Sequence, residues 1–232
     1  MAARRRRKSH TSRNVSSSVT ESYQTIGANM FLGGDNLDSN VILVTSATSG
    51  EGKTSTVYHL GIVAAQTGRN VLVVDANLRR PQLHQMFYIE NDIGLSGIVG
   101  GEKWSECIIK SETPRLYLMP SGPAHENPNM ILYSREFTNF LEHCCRQFDL
   151  VIIDSPPVLE VSDAIILAPS VGGIVFVIDG KRTSRASARR AISALRHVNG
   201  RIIGGVLNRK PKGQYDYHIE TLGELQPIER RS

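Results

Sequence analysis

The stretch Val41-Ile-Leu-Val-Thr-Ser-Ala-Thr-Ser-Gly-Glu-Gly-Lys-Thr-Ser-Thr56 constrains the fold more than any other part of the chain. Val41 to Thr45 is a short apolar, β-branched run, the mark of a buried strand. Ser46 to Gly52 are small and permissive, and Lys53, Thr54 and Ser55 open a segment that reads as helix to about Gln66. Strand, glycine loop, Gly-Lys-Thr and helix, in that order, make the P-loop arrangement. Such a loop turns successive backbone N–H groups around a phosphate chain, and the helix N-terminus adds partial positive charge. Ser49, Gly50, Glu51, Gly52, Lys53, Thr54 and Ser55 are therefore the candidate nucleotide-binding residues. Lys53 is placed to reach the β- and γ-phosphates, and the Thr54 hydroxyl to ligate Mg²⁺. One position departs from G-x-x-x-x-G-K-[ST]: Ala47 stands where the motif has its first glycine.

The 232 residues suffice for one α/β domain with a substantial core. No apolar run reaches the length of a membrane span, and residues 1–20 lack the apolar core of a signal peptide. That arm carries Arg4-Arg5-Arg6-Arg7-Lys8 and Arg13, with no acid before Glu21. The chain's net charge is +5, so the arm accounts for the basic balance and the body is close to neutral. The arm reads as a solvated tail or as a segment held near an anionic membrane surface. Nucleic acid ranks behind both, because no aromatic residue interleaves with the arginines. Cys107, Cys144 and Cys145 are odd in number and lack C-x-x-C spacing, which fits a reducing compartment.

Tyr23, Ile26 and Met30 share one face of a helix expected over 21–32, ended by Gly33-Gly34-Asp35-Asn36. After the P-loop helix, Val71–Asp75 is a second strand, followed by residues 82–110 as short helices and loops. Leu116–Met119 is a third strand, and Asn127-Pro128 opens a helix whose apolar face runs from Met130 to Cys144. Leu150–Asp154 is a fourth strand stopped by Pro156-Pro157, a helical patch spans 161–168, and Gly173–Ile178 is a fifth strand. A helix from Thr183 to Val198, capped by Thr183 or Ser184, precedes a sixth strand, Ile202–Leu207. Strands alternating with helices predict a mostly parallel, doubly wound α/β sheet with helices on both faces. Ligands in such sheets bind at the carboxyl ends of the strands, where the P-loop, Asp75, Asp154 and Asn208 all fall. Asp154 is placed like the acid that holds Mg²⁺, and Asp75 to organise the metal or accept a proton from an attacking hydroxyl. Lys53, Asp75 and Asp154 are thus the candidate catalytic residues, and Thr54, Asp75 and Asp154 the candidate metal ligands. Arg79 and Arg80 suit phosphates, acids of another subunit or a solvated turn, and the arginines at 185, 189 and 196 suit a solvated edge or an acidic partner.

Several segments together resemble the bacterial tyrosine kinases of the exopolysaccharide and capsule type. Val71-Leu-Val-Val-Asp75-Ala-Asn-Leu-Arg-Arg-Pro-Gln-Leu-His84 is similar to their Walker A′ segment, and Asp149-Leu-Val-Ile-Ile-Asp154-Ser-Pro-Pro-Val158 to their Walker B. Ser121–Pro128, Ser162–Ala168 and Gly204–Arg209 match further, so the resemblance covers about residues 21–210. It implies a cytoplasmic, ATP- and Mg²⁺-dependent kinase, related to the ATPases of division-site placement and plasmid partition. It also implies autophosphorylation on tyrosine, control of polysaccharide polymerisation and export, and a transmembrane polysaccharide co-polymerase as activating partner at the inner face of the plasma membrane. Asn208 resembles the adenine-contacting position, and a homo-oligomer is implied. Three positions depart from the family. Asn77 stands where members carry a second aspartate; the motif Glu-x-x-Arg-x-x-Arg reads Glu21, Gln24, Gly27; and the terminal tyrosine cluster is reduced to Tyr215 and Tyr217, the candidate phosphoacceptors. The domain plan is a basic arm over 1–20, a P-loop kinase domain over 21–210 and a flexible tail over 211–232. The rival readings are a catalytically weak nucleotide-binding regulatory subunit of the same polysaccharide system and, last, a membrane-surface partition-type ATPase, whose extra P-loop lysine is missing between Ser46 and Gly52.

Overall fold

The apolar strands do not alternate in sequence because both of their faces are covered. The computed structural model of the protein describes residues 17–32 and 39–209. Its strands are β1 (Val41–Ser46), β2 (Val71–Asp75), β3 (Ile109–Lys110), β4 (Leu116–Met119), β5 (Leu150–Asp154), β6 (Gly173–Asp179) and β7 (Ile202–Asn208). They form one sheet in the order β3-β4-β2-β5-β1-β6-β7. Neighbours run parallel except β3, which is antiparallel to β4. The helices are α1 (Ser17–Leu32), α2 (Lys53–Gln66), α3 (Leu83–Met86), α4 (Trp104–Cys107), α5 (Pro128–Tyr133), α6 (Arg135–Gln147), α7 (Asp163–Leu167) and α8 (Arg185–His197).

Successive strand residues point to opposite faces, so each strand feeds two cores. Val41, Leu43, Leu72, Val74, Val151 and Ile153 face α5, α6, α7 and α8, where Ile131, Phe140, Leu167 and Leu195 meet them. Ile42, Val44, Val71, Val73, Leu150 and Ile152 face α1, α2 and α3, where Tyr23, Leu60 and Leu83 meet them. On the second face the expected stripe of α1 is in place: Tyr23 is buried, and Ile26 and Met30 pack half-buried against the core. The Tyr23 ring stacks on His59 with centroids 4.6 Å apart, and its hydroxyl lies 3.4 Å from Thr56 Oγ1. Burial lowers the His59 imidazole's pKa, so His59 is a packing residue of α2.

Three details differ from the sequence reading. α1 begins at Ser17, inside the span assigned to the arm. The helix expected from Pro128 onward breaks at Ser134, whose backbone is extended (ψ 153°) and whose Oγ accepts from Phe137 N at 3.0 Å, capping α6. A serine satisfies a free helix-start N–H better than it continues a helix, which favours two helices over one. The strand β3 lies within the span read as helices and loops, since two residues carry no periodicity. The arginines at 185, 189 and 196 are exposed along α8 while Ala191 and Leu195 are buried, as a solvated edge beside a packed face requires. All three cysteines are free thiols, and burial pushes Cys144 up to about 12. The arm up to residue 16, the Gly33–Asn36 stop and the tail with Tyr215 and Tyr217 lie outside the described residues.

Phe140 is fully buried, with Phe137 at 6.1 Å and Trp104 at 6.3 Å between ring centroids. Phe140→Ala is expected to cost about 3–5 kcal/mol. Urea unfolding followed by circular dichroism checks this; a loss below about 1 kcal/mol would mean that this face repacks freely.

Candidate functional site

β1 ends at Ser46, and the chain turns through Ala47–Gly52 before α2 starts at Lys53. Gly50 (φ 77°) and Gly52 (φ 99°) take the left-handed conformation that the turn requires. A Cβ at Gly52 would lie 2.1 Å from Asn208 Nδ2, so contact with β7 also demands a glycine there. Ala47, the departure from the motif, is fully buried within the core on the α5–α8 face, where a methyl group is an asset.

Around this loop the strand ends converge. Parallel register sets Asp154 beside both Val44 of β1 and Asp75 of β2. Thr54 Oγ1 donates to Asp154 Oδ2 at 2.7 Å, while Asp154 Oδ1 is buried without a hydrogen-bond partner. Lys53 is buried and its Nζ donates to Ser46 Oγ at 3.0 Å. Burial lowers the Lys53 pKa, against the opposing charges of Asp154, Glu51 and Glu160. Asp75 is buried too, accepting from Asn77 N (3.1 Å), Gln82 N (3.2 Å) and Leu83 N (3.0 Å). Burial first, and then the Asp154 charge, push Asp75 up to about 8. Burial likewise pushes Asp154 up to about 6, although the Thr54 hydrogen bond and Lys53 pull the other way.

This donor set fits a divalent cation. An orphaned carboxylate oxygen, a hydroxyl and a second acid are hard oxygen ligands, the kind Mg²⁺ prefers. Among the described residues no group of three or more His, Cys, Asp or Glu forms a metal cage, so such an ion would complete its shell with water or phosphate oxygens.

Residues without motif status hold the loop in place. Glu51 is buried, and its carboxylate accepts from Thr48 N and Thr48 Oγ1, both at 3.1 Å, and from Thr183 Oγ1. Asn208 Nδ2 donates to Glu51 O at 3.0 Å, and Asn208 Oδ1 accepts from Arg209 N at 2.9 Å. Arg209 Nη1 donates to Gly50 O at 2.9 Å and to Asp179 Oδ2 at 2.8 Å. On the opposite lip, Glu160 accepts from Ser49 N and Ser49 Oγ.

Ser49, Gly50, Glu51, Gly52, Lys53, Thr54, Asp75, Asp154 and Asn208 therefore meet on one rim. Ser55 is exposed on the first turn of α2. Arg79 pairs within its own chain, to Asp163 Oδ1 at 3.3 Å and Asn129 Oδ1 at 3.1 Å. Asn77 spends its backbone N–H on Asp75 and its side-chain oxygen on Arg80 N, the work of a turn residue. Thr183, Arg209 and Glu160 went unrecognised as site residues. Of Thr183 and Ser184, the two expected caps, Ser184 performs that task by accepting from Ser187 N at 3.0 Å, and Thr183 turns to Glu51. A cleft of about 560 Å³ lined by Trp104, Tyr117, His143 and Phe148 opens near the starts of β2 and β5, away from this rim.

The loop, the acid-tipped strands and the parallel sheet define a P-loop nucleotide-binding domain. A family model described as an AAA domain matches residues 39–201. The chain is similar to the tyrosine-protein kinase YwqD of Bacillus subtilis (strain 168), with 33% identity over 228 residues, covering 94% of this chain and 96% of that one. It is 30% identical over 201 residues to the tyrosine-protein kinase etk of Escherichia coli (strain K12), covering 84% of this chain but only 28% of that protein. The solved kinase domain of Escherichia coli ETK superposes with a TM-score of 0.83 at 26% identity, covering 92% of this chain and 88% of that structure. The chain belongs to the bacterial tyrosine-kinase family.

The buried acids give the site a pH signature. Asp154 sits at about 6 in the fold against an ordinary 3.8, so unfolding releases a proton and stability falls as pH rises from below 3.8 through 6. In Asp154→Asn the Thr54 hydroxyl keeps an acceptor and the buried charge is gone. The nucleotide-free variant is expected to melt higher than wild type at pH 8 and to converge with it as pH falls below about 4. Thermal unfolding across that range checks the sign; a variant less stable at pH 8 would contradict it.

Proposed function

We propose that this chain is an ATP-dependent protein-tyrosine autokinase that regulates the polymerisation and export of exopolysaccharide or capsule. The observation that carries the reading is the Lys53–Thr54–Asp154–Asp75 constellation on the P-loop rim of a chain aligned along almost its whole length with a tyrosine-protein kinase.

The N–H groups of Ser49–Ser55 bind the phosphate chain, and Lys53 leaves Ser46 to reach the β- and γ-phosphates. Thr54, Asp154 and Asp75 would hold Mg²⁺, which when bound neutralises the charge of the β- and γ-phosphates. Asn208, beside Gly52, serves adenine once its amide is released from Glu51. A tyrosine Oη attacks the γ-phosphorus, the bond from that phosphorus to the β,γ-bridging oxygen breaks, and ADP leaves. Asp75, whose burial beside Asp154 raises the proton affinity of its carboxylate, would in its ionised form take the phenolic proton.

Tyr215 and Tyr217 are the acceptors. They follow Arg209 by six and eight residues, and Arg209 is pinned to the P-loop at Gly50 O. At no more than about 3.5 Å per residue, the Cα of Tyr215 stays within about 21 Å of that of Arg209, so tethering supplies a high effective concentration. The partner would be a transmembrane polysaccharide co-polymerase. No helix among the described residues is long and apolar enough to cross a membrane, so this partner, with the basic arm against anionic lipid, would hold the chain at the membrane face. A homo-oligomer, with the exposed Glu21 and Gln24 of α1 facing a neighbour, completes the assembly.

A second reading, a regulatory subunit that binds nucleotide without transferring phosphate, is favoured by Asn77, which adds no acid beside Asp75. Labelled ATP with phosphotyrosine mapping separates the two. Autophosphorylation is expected in wild type, its loss by about a hundredfold in Lys53→Ala, and its loss with nucleotide binding intact in the Tyr215→Phe, Tyr217→Phe double variant. Nucleotide binding without any phosphotyrosine would establish the regulatory reading, and label persisting in the double variant would move the acceptor elsewhere.

A further inference from the structure

The carboxylate of Glu160 occupies the open lip of the P-loop. It accepts from Ser49 N at 2.6 Å and from Ser49 Oγ at 2.6 and 2.8 Å, across 111 residues of sequence. Glu160 is itself exposed, on the turn that follows the two prolines after β5. The Ser49 hydrogen bonds hold its carboxyl below the usual carboxylate range, and the positive charges of Lys53 and Arg80 act in the same direction. The same lysine is the cation aimed at the β- and γ-phosphates, and the same serine belongs to the loop that wraps them. An anion of the chain therefore sits in the electrostatic basin that a nucleotide's terminal phosphate must enter.

We propose that Glu160 is an internal competitor of the γ-phosphate and sets the preference of the site between ADP and ATP. The inference rests on the nucleotide reading of the P-loop given above and adds a specificity residue to it. ADP places its β-phosphate deeper in the loop, against the N–H groups around Gly52 and Lys53, and leaves the Ser49–Glu160 contact standing. ATP carries further negative charge toward Ser49, so the carboxylate must swing out to solvent before the γ-phosphate settles. Its exposure makes that swing sterically free, and the cost lies in giving up two charge-assisted donors and meeting a like charge. Once the γ-phosphate has been transferred, Glu160 returns to Ser49 and the ADP-bound state is favoured again.

The test compares MgADP with the Mg²⁺ complex of a non-hydrolysable ATP analogue, by titration calorimetry on the full chain in wild type, Glu160→Gln and Glu160→Ala. Both variants remove the charge from an exposed side chain, and thermal melting confirms that they fold. The analogue is expected to bind on the order of tenfold more tightly in both variants, with ADP changed by less than about twofold. Raised salt should narrow the difference, because the competition is between charges at a solvent-facing lip. An unchanged ATP-to-ADP affinity ratio in a protein that binds both nucleotides overturns this inference alone. Selective weakening of the analogue also overturns it and makes Glu160 a ligand of the nucleotide. A wild type that binds neither nucleotide overturns the reading of the site and this inference with it.

Discussion

The 2.7 Å hydrogen bond from Thr54 to Asp154 joins the first turn of α2 to the end of β5, and the site is arranged about it. It exists because β1 and β5 are parallel neighbours in a register that sets Val44 beside Asp154. The same register, one strand further, sets Asp75 beside Asp154. Two carboxylates are thereby buried close together, which the chain tolerates only by giving their oxygens donors or raising their proton affinity. Asp75 has three backbone N–H groups, whereas Asp154 keeps one oxygen without a partner. Such an arrangement is costly for a resting fold and well suited to a divalent cation, whose charge repays the burial.

Loop geometry is maintained from the far side of the sheet. β7 closes the edge next to β6, and its last residue and the one after it reach over the P-loop: Asn208 to Glu51 O and Arg209 to Gly50 O. Thr183 and Thr48 hold the Glu51 side chain beneath them. These contacts fix carbonyl and carboxylate oxygens of the loop; among its N–H groups, that of Thr48 is taken by Glu51 and that of Ser49 by Glu160. Arg209 thus lies at the mouth of the site, six residues before Tyr215 in the sequence.

The sheet was legible in the sequence because strands buried on both faces leave continuous apolar runs, as in Val71–Val74 and Leu150–Ile153. The convergence of acids on one rim was legible for a related reason: Asp75 and Asp154 each end such a run, and parallel register sets the two side by side. What escaped were contacts with no local pattern. Nothing near Glu160 marks it as a partner of Ser49, since only folding brings these residues together across 111 positions. Arg79 was open to several partners until Asp163, from the start of α7, proved to be beside it. The break at Ser134 and the two-residue β3 were hidden because a cap and a short edge strand carry almost no periodic signal.

The central claim is that nucleotide and metal meet where β1, β2 and β5 end. A crystal structure of the chain grown with Mg²⁺ and ADP tests it most directly. The account requires the β-phosphate to be ringed by the N–H groups of Gly50–Thr54, with the metal touching the Thr54 hydroxyl and Asp154 directly or through water. Nucleotide density in the Trp104–His143 cleft, or a P-loop left without phosphate at saturating MgADP, would contradict it.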